Sequence, residues 1–226
     1  MRKIFTVAII SFILGIVVFN IIPEHKTVII AGDIPLLDKR ELINNSSVIV
    51  KGKVENILPS KWSNPNQEKG TEIRNIVQTD IEISIQDVYK NIPYNKEKIT
   101  VRINSGEIGN TKVISEGYPS FIPGEEVVLF LSEDDSDLAN SGEDYYVLTG
   151  MLQGKFSFVS DGTKQEEILK NISTIDLPLE KTTFNPATIQ EEIENTLEDL
   201  KANPIHEMTK EEIRINNEKI FGDYSQ

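Results

Sequence analysis

The chain has 226 residues, 38% hydrophobic and 26% charged, which suits one ordinary domain with appendages and excludes a wholly disordered polypeptide. Lys and Arg number 23 against 36 Asp and Glu, a net charge of −13, so a nucleic-acid surface, which needs clustered positive charge, is excluded. The absence of Cys removes disulfide scaffolds, thiolate metal sites, cysteine nucleophiles and a lipid-modified cysteine.

The amino terminus carries the clearest signal. Met1-Arg2-Lys3 is cationic, and Ile4 to Ile22 follows as 19 residues without a charge, ended by Pro23. As a helix this segment rises about 28 Å, close to the thickness of a hydrocarbon core. The positive-inside rule keeps Arg2 and Lys3 in the cytoplasm and sends everything after Pro23 outside. Bulky Val17, Val18, Phe19 and Ile22 stand where a signal peptidase wants small residues, which favours a retained signal anchor over a cleaved signal peptide. The expected division is a transmembrane anchor at 1–26 and a linker with a short helix at 27–46. A β-barrel follows at 47–162, then an acidic helical region at 163–226. Without Arg2 and Lys3 the remainder holds 21 bases against 36 acids. Such a surface repels anionic headgroups and attracts cations or basic partners.

Thr27 to Gly32 reads as linker, and Asp33-Ile-Pro35 as the start of a helix through Asn45 with Leu36, Leu37, Leu42 and Ile43 on its buried side. Strand signals follow. Val48, Val50, Gly52 and Val54 share one face, and Ile81, Ile83 and Ile85 alternate before a shift at Gln86-Asp87 that a bulge explains. Ile99, Val101 and Ile103 alternate again, and Glu126 to Leu131 is apolar at consecutive positions, as in a strand covered on both faces. Tyr145 to Leu148 and Lys155 to Val159 complete the set. Pro123-Gly124 fits a type II turn and Asp161-Gly162 a hairpin stop, while 58–75 and 104–120 read as long loops. Five or six short strands with irregular connections predict a mainly β fold, a small antiparallel barrel or sandwich.

The last third turns helical. Asn185 suits an N-cap and Pro186 a first helical residue, and Ile189, Ile193, Leu197 and Leu200 mark one stripe through Lys201. Thr209-Lys-Glu-Glu212 is a capping box for a second helix to about Ile220, with Met208 placed to staple against Ile213. From Pro186 to Gln226 there are ten acids and four bases, so the expected element is an acidic surface helix docking through its stripe.

The segments 45–54, 81–90, 121–131 and 146–156 together resemble a family of uncharacterised exported bacterial proteins built on an oligonucleotide/oligosaccharide-binding (OB) barrel. In outline this is similar to netrin-like and metalloproteinase-inhibitor modules. The resemblance covers about half the chain and implies the barrel but no ligand. Inhibitors of this shape chelate a metal through an amino-terminal cysteine, and this chain has none.

Individual residues nominate no catalytic, cofactor-binding or metal-ligating position. His25 and His206 stand 181 positions apart in polar contexts and read as solvated surface residues. Glu133, Asp134, Asp135, Asp137, Glu143 and Asp144 cluster between two strands without a base, yet Ala139 breaks any EF-hand series, and the loop reads as solvated. Trp62, the only Trp, either closes one barrel end or stacks on a ligand from its loop; Tyr118, Phe121 and Tyr145 read as core aromatics. Gly106, Gly109, Gly117 and Gly124 form no phosphate cradle, and Asn44, Asn45 and Asn171 begin glycosylation patterns too short to carry weight. The expected function is therefore a non-enzymatic surface protein, held in the membrane through residues 4–22. It would bind an envelope protein or cell-wall component through loops 58–75, 104–120 and 132–144. A carboxylate-based envelope hydrolase is the alternative, and it requires two converging acids with one raised pKa. A module that inserts a loop into an envelope protease is the other.

Overall fold

The structure is a computed structural model that describes residues 26–31, 34, 36–64, 75–136, 139–140, 142–161, 166–171 and 183–205. In chain order its elements are β1 (Lys26–Ile30), α1 (Lys39–Asn45), β2 (Val48–Ile57), β3 (Lys61–Trp62), β4 (Val77–Lys90), β5 (Lys98–Ile103), β6 (Gly106–Ile108), β7 (Thr111–Ser115), β8 (Glu126–Ser132) and β9 (Tyr146–Leu148). A 3₁₀ turn (Met151–Gly154) then leads to β10 (Lys155–Asp161), β11 (Glu166–Lys170), β12 (Thr183–Phe184) and α2 (Ile189–Ala202).

Five strands close into a barrel. Going round it, β2 lies antiparallel to β4, β4 antiparallel to β5, β5 parallel to β9, β9 antiparallel to β8, and β8 antiparallel to β2. The alternation in the sequence fills the interior: Val48, Val50 and Val54 of β2, Ile81 and Ile83 of β4, Ile99 and Val101 of β5, Val127, Leu129 and Leu131 of β8 form one buried cluster with Phe121, Tyr146 and Leu148. Ile85, expected beside them, is only half-buried.

Closing so few strands forces β2 to coil tightly, and two features permit it. The β2–β4 register slips between Lys51 and Gly52, leaving Gln86 without an opposite residue, which is the bulge the sequence anticipated. At the same point a Cβ on Gly52 would sit 2.5 Å from Ile83 Cγ2 and 2.7 Å from the Ser84 carbonyl oxygen, so the strands meet there only because residue 52 has no side chain. The turn into β8 holds Gly124 at φ 89°, the left-handed conformation a type II turn requires.

Beyond β8 the sheet leaves the barrel. β10 pairs with the first half of β8 where β9 does not reach, and β11 and β12 extend it, so β8 is buried on both faces as its apolar run predicts. The two helices cover this second layer. Phe130, Phe156 and Phe184 meet with ring centroids 5.0–5.3 Å apart, and Leu42, Ile43, Ile49, Val128, Leu169, Ile189 and Ile193 pack around them.

Several boundaries differ from the sequence reading. Residues 26–30 are not linker but β1, paired parallel with β7. The stretch 104–120 is not loop throughout but contains the β6–β7 hairpin, which with β1 makes a separate three-stranded sheet. Strands β11 and β12 precede the helix within the region expected to be helical. Helix α1 begins at Lys39, because Asp38 and Glu41 form a reciprocal capping box, and this leaves Leu36 exposed. Lys90 Nζ donates to the carbonyl oxygens of Ile43, Asn44 and Ser46 at 2.6, 3.1 and 2.5 Å, tying off the other end of α1. Helix α2 starts at Ile189 rather than Pro186, since 186–188 form a turn, but its stripe docks as expected, with Ile189, Ile193 and Leu200 buried and Leu197 partly so. No helix among the described residues is long and apolar enough to cross a membrane; the apolar segment 4–22, His25, His206 and the helix expected at 209–220 lie outside them.

Candidate functional site

The two-residue strand β3 separates two environments. Lys61 pairs with Gln78 and Trp62 with Val77, so their side chains leave opposite faces of the β3–β4 ladder.

On the Lys61 side lies an ion cluster built on a buried Arg102–Asp80 pair. Arg102 of β5 and Asp80 of β4 are direct cross-strand partners pointing out of the barrel. The guanidinium donates to both carboxylate oxygens, Nε to Oδ1 at 2.6 Å and Nη2 to Oδ2 at 2.9 Å, and also to Glu143. Lys61 Nζ reaches Asp80 at 3.0 Å and Glu143 at 2.8 Å. The Tyr145 ring lies 3.7 Å from the Arg102 guanidinium carbon and donates its hydroxyl to Asp134 at 2.7 Å. Arg102 is thereby only 2% exposed although it stands on the outer face of a strand. Burial alone would raise the Asp80 carboxyl, but the hydrogen bonds from Arg102 and Lys61 outweigh it and hold the group below its ordinary range. Hydrogen bonds from Lys61 and then Arg102 lower Glu143 as well.

The acidic loop is therefore not simply solvated: Glu143 ties it to Arg102 of β5 and Lys61 of β3, and Asp134 accepts from the hydroxyl of Tyr145, whose ring covers Arg102. Glu133, Asp135 and Asp144 remain exposed, and Asp137 lies outside the described residues. No group of three or more acids or histidines among the described residues is arranged to hold a metal ion. Glu82 and Asp134 titrate low, like Asp80 and Glu143, so the described acids with displaced values all move down.

On the Trp62 side is a cavity of about 530 Å³, within the size range of small-molecule sites. It lies where the β1–β7–β6 sheet stands off from the start of β4. Val28 and Ile30 of β1, Val113 of β7, Ile108 of β6, Ile76 and Val77 line it, with Trp62, Asn75, Lys26, Gly109 and Thr111. Trp62 is thus neither wholly core nor free on a loop; it is half-buried and walls the cavity.

Two polar groups there are unsatisfied. Trp62 Nε1 and Asn75 Nδ2 are buried and have no hydrogen-bond partner among the described residues. The Asn75 amide is fixed, because its Oδ1 accepts from the Asn64 N–H at 3.1 Å, leaving the NH₂ end turned away from that contact. Each buried donor left in this state costs about 1–3 kcal/mol. The composition rule that marks aromatic residues as core gave no hint of Asn75, which is 6% exposed and lies next to a polar stretch.

Other nominated residues have structural tasks. Phe121 is buried in the barrel cluster, with Tyr118 packed against it. Asn171 is 5% exposed, and its Nδ2 donates to the carbonyl oxygens of Leu152, Gln153 and Lys155, so its glycosylation pattern sits on a buried side chain. Lys155 and Ser157, which the sequence did not single out, are 3.1 Å apart, but Glu125 accepts from both, at 2.7 and 2.6 Å, in a buried cluster under Phe121.

Neither a protein-family model nor a curated protein matches the chain in sequence.

Proposed function

We propose that the protein is a non-enzymatic binding module, an OB-type barrel held at the outer side of a membrane by residues 4–22, whose binding site is the cavity beneath the β1–β7–β6 sheet. One observation carries this reading: a cavity of about 530 Å³ whose described walls are largely aliphatic, framed by residues of the loops 58–75 and 104–120. The barrel order β2–β4–β5–β9–β8 with its one parallel pair supports the OB-type assignment. The anchor rests on the uncharged segment 4–22 and its cationic flank. Binding is passive: the closed barrel holds Trp62 and Asn75 in place, and the tether confines the site to the envelope.

Photo-crosslinking in intact cells tests the site. A photoreactive residue at Thr111, on the cavity wall, should capture a discrete partner or small molecule that one at exposed Lys53 on β2 does not. Equal labelling from both positions, or turnover of a wall fragment by the purified protein, overturns the reading. Protease added to intact cells should remove the folded part if it lies outside; a fully protected chain refutes the topology.

A further inference from the structure

We propose that the outer face of the β1–β7–β6 sheet rests on the bilayer beside its own anchor, with Ile29 and Ile114 seated among the lipid headgroups and Lys112 against the lipid phosphates. The inference rests on the reading of residues 4–22 as a membrane anchor, and adds a second contact that fixes how the folded part stands on the membrane.

Three observations carry it. First, the sheet has two unlike faces. Val28, Ile30 and Val113 line the cavity, whereas Thr27, Ile29, Lys112 and Ile114 alternate with them along β1 and β7 and leave from the opposite face. Burial follows the same alternation in β7, where Val113 and Ser115 are buried and Lys112 and Ile114 exposed. Ile29 is 62% exposed and Ile114, its direct cross-strand partner, 38%, so the two make one apolar patch open to solvent. Second, the chain leaves this sheet little freedom to move away from a membrane. Only Pro23, Glu24 and His25 separate the uncharged segment from Lys26. At about 3.3–3.6 Å per residue, the steps from Ile22 to Lys26 reach at most about 14 Å, and a headgroup layer is itself about 5–7 Å thick. Lys26 N–H donates to the Asn110 carbonyl oxygen at 2.8 Å, which holds the β6–β7 turn at the same level. Third, the sheet departs from the charge of the chain. Its three strands contain two lysines, Lys26 and Lys112, and one acid, Glu107, in a chain of net charge −13. Glu107 lies on the edge strand away from β1, and Glu116 follows the end of β7 that is remote from Lys26. Lys112 has no ion pair among the described residues. An acidic body therefore meets the least repulsion from anionic headgroups at this end, and exposed isoleucines beside a lysine suit an interfacial contact.

The experiment uses the full chain, one per disc, in nanodiscs of mixed phosphatidylcholine and phosphatidylglycerol. The chain has no Cys, so one introduced Cys carries a fluorescent dye at a chosen position. The dye stands at Ile13→Cys in the anchor, at Glu107→Cys on the outer face of β6, or at Lys53→Cys on exposed β2. Lipids spin-labelled at the headgroup or on the acyl chain then quench it. Because β6 is the strand furthest from the tether, the dye at 107 reports docking rather than tethering. Headgroup-labelled lipid should quench it at least threefold more than the dye at 53. Ile29→Glu/Ile114→Glu should lower the quenching at 107 at least twofold, and Lys112→Glu should lower it as well. These side chains are exposed, so unchanged near-ultraviolet circular dichroism should accompany both changes. Quenching at 107 that is no stronger than at 53, or that Ile29→Glu/Ile114→Glu does not move, overturns the docking. If acyl-chain lipid still quenches the dye at 13, the anchor stands without it; no quenching at 13 removes both. A dye at 107 that lipid does not quench but that two chains in one disc shield makes this face a contact between copies, which also overturns the proposal.

Discussion

Replacing Arg102 by Met tests whether the outer ion cluster holds the fold together. The substitution keeps an unbranched apolar stem but removes the guanidinium and its charge from a site that is 2% exposed. Asp80, 12% exposed, then loses a bidentate partner and keeps only Lys61 at 3.0 Å. Removing one member of a buried pair typically costs 3–5 kcal/mol, because the other charge stays buried and uncompensated. The remaining Lys61 contact places this case at the low end, about 3 kcal/mol. Lys61→Met is the control within the same cluster. Its side chain is 41% exposed, so its contacts are screened and it should cost no more than about 1 kcal/mol. The double variant Asp80→Leu/Arg102→Met removes both buried charges and should regain at least half of the loss. Urea denaturation of the full chain in a mild non-ionic detergent, followed by Trp62 emission, measures all four proteins. An Arg102→Met loss below about 1 kcal/mol, or one no larger than that of Lys61→Met, would falsify the argument.

Further outcomes follow from single contacts. Gly52→Ala should cost about 3 kcal/mol by the same denaturation assay, since its Cβ meets both Ile83 and the Ser84 backbone at under 3 Å; a neutral result would mean that β2 and β4 can separate there. Phe184→Ala removes one of three mutually packed rings and should cost about 3–5 kcal/mol, with loss of near-ultraviolet circular dichroism from the second layer. The Asp80 carboxyl titrates lower in the folded chain than its ordinary 3.8, so its contribution is complete above that pH and is lost as pH falls through the lower folded value. Acid unfolding of the wild type should therefore steepen below about pH 4, and Asp80→Leu/Arg102→Met should flatten that segment of the curve.

The barrel was legible in the sequence because its interior is written in period two. Ile81, Ile83, Ile99 and Val101 alternate with polar residues and all are buried, and the consecutive apolar run of β8 marks a strand covered by both layers. The small β1–β7–β6 sheet was not legible. Its residues alternate weakly, Ile29 and Ile114 remain exposed, and its parallel β1–β7 pair joins segments about 85 positions apart. The helix start differs for a local reason: Pro35 suggests an early first turn, whereas Asp38 and Glu41 together satisfy the amide groups of a helix that starts four residues later, at Lys39. The candidate site was half legible. Trp62 stood out by being unique, but an unpartnered donor on Asn75 is a property of three-dimensional surroundings and leaves no mark in the pattern of residue types. The ion cluster was hidden by the same limit, since Lys61, Asp80, Arg102 and Glu143 are isolated charges until β3, β4, β5 and one loop bring them together.

The closure of the barrel also explains why the proposed site lies outside it. Five strands enclose too little space for a ligand, and here valines and isoleucines fill it. The outer face of β4 and β5 is where OB-type barrels commonly receive their ligands, but in this chain Arg102, Asp80, Glu143 and Tyr145 already occupy it with the chain's own loop. A ligand entering there would have to displace a buried, charge-paired contact before making any of its own. The cavity beyond Trp62 presents the opposite situation: its described lining is largely aliphatic and holds no ion pair that an occupant would have to break. Since Lys61 and Trp62 are adjacent on one short strand, the latch that seals the first face also fixes the wall of the second. Loosening Arg102 should therefore disturb binding at Trp62 even though the two side chains point away from each other.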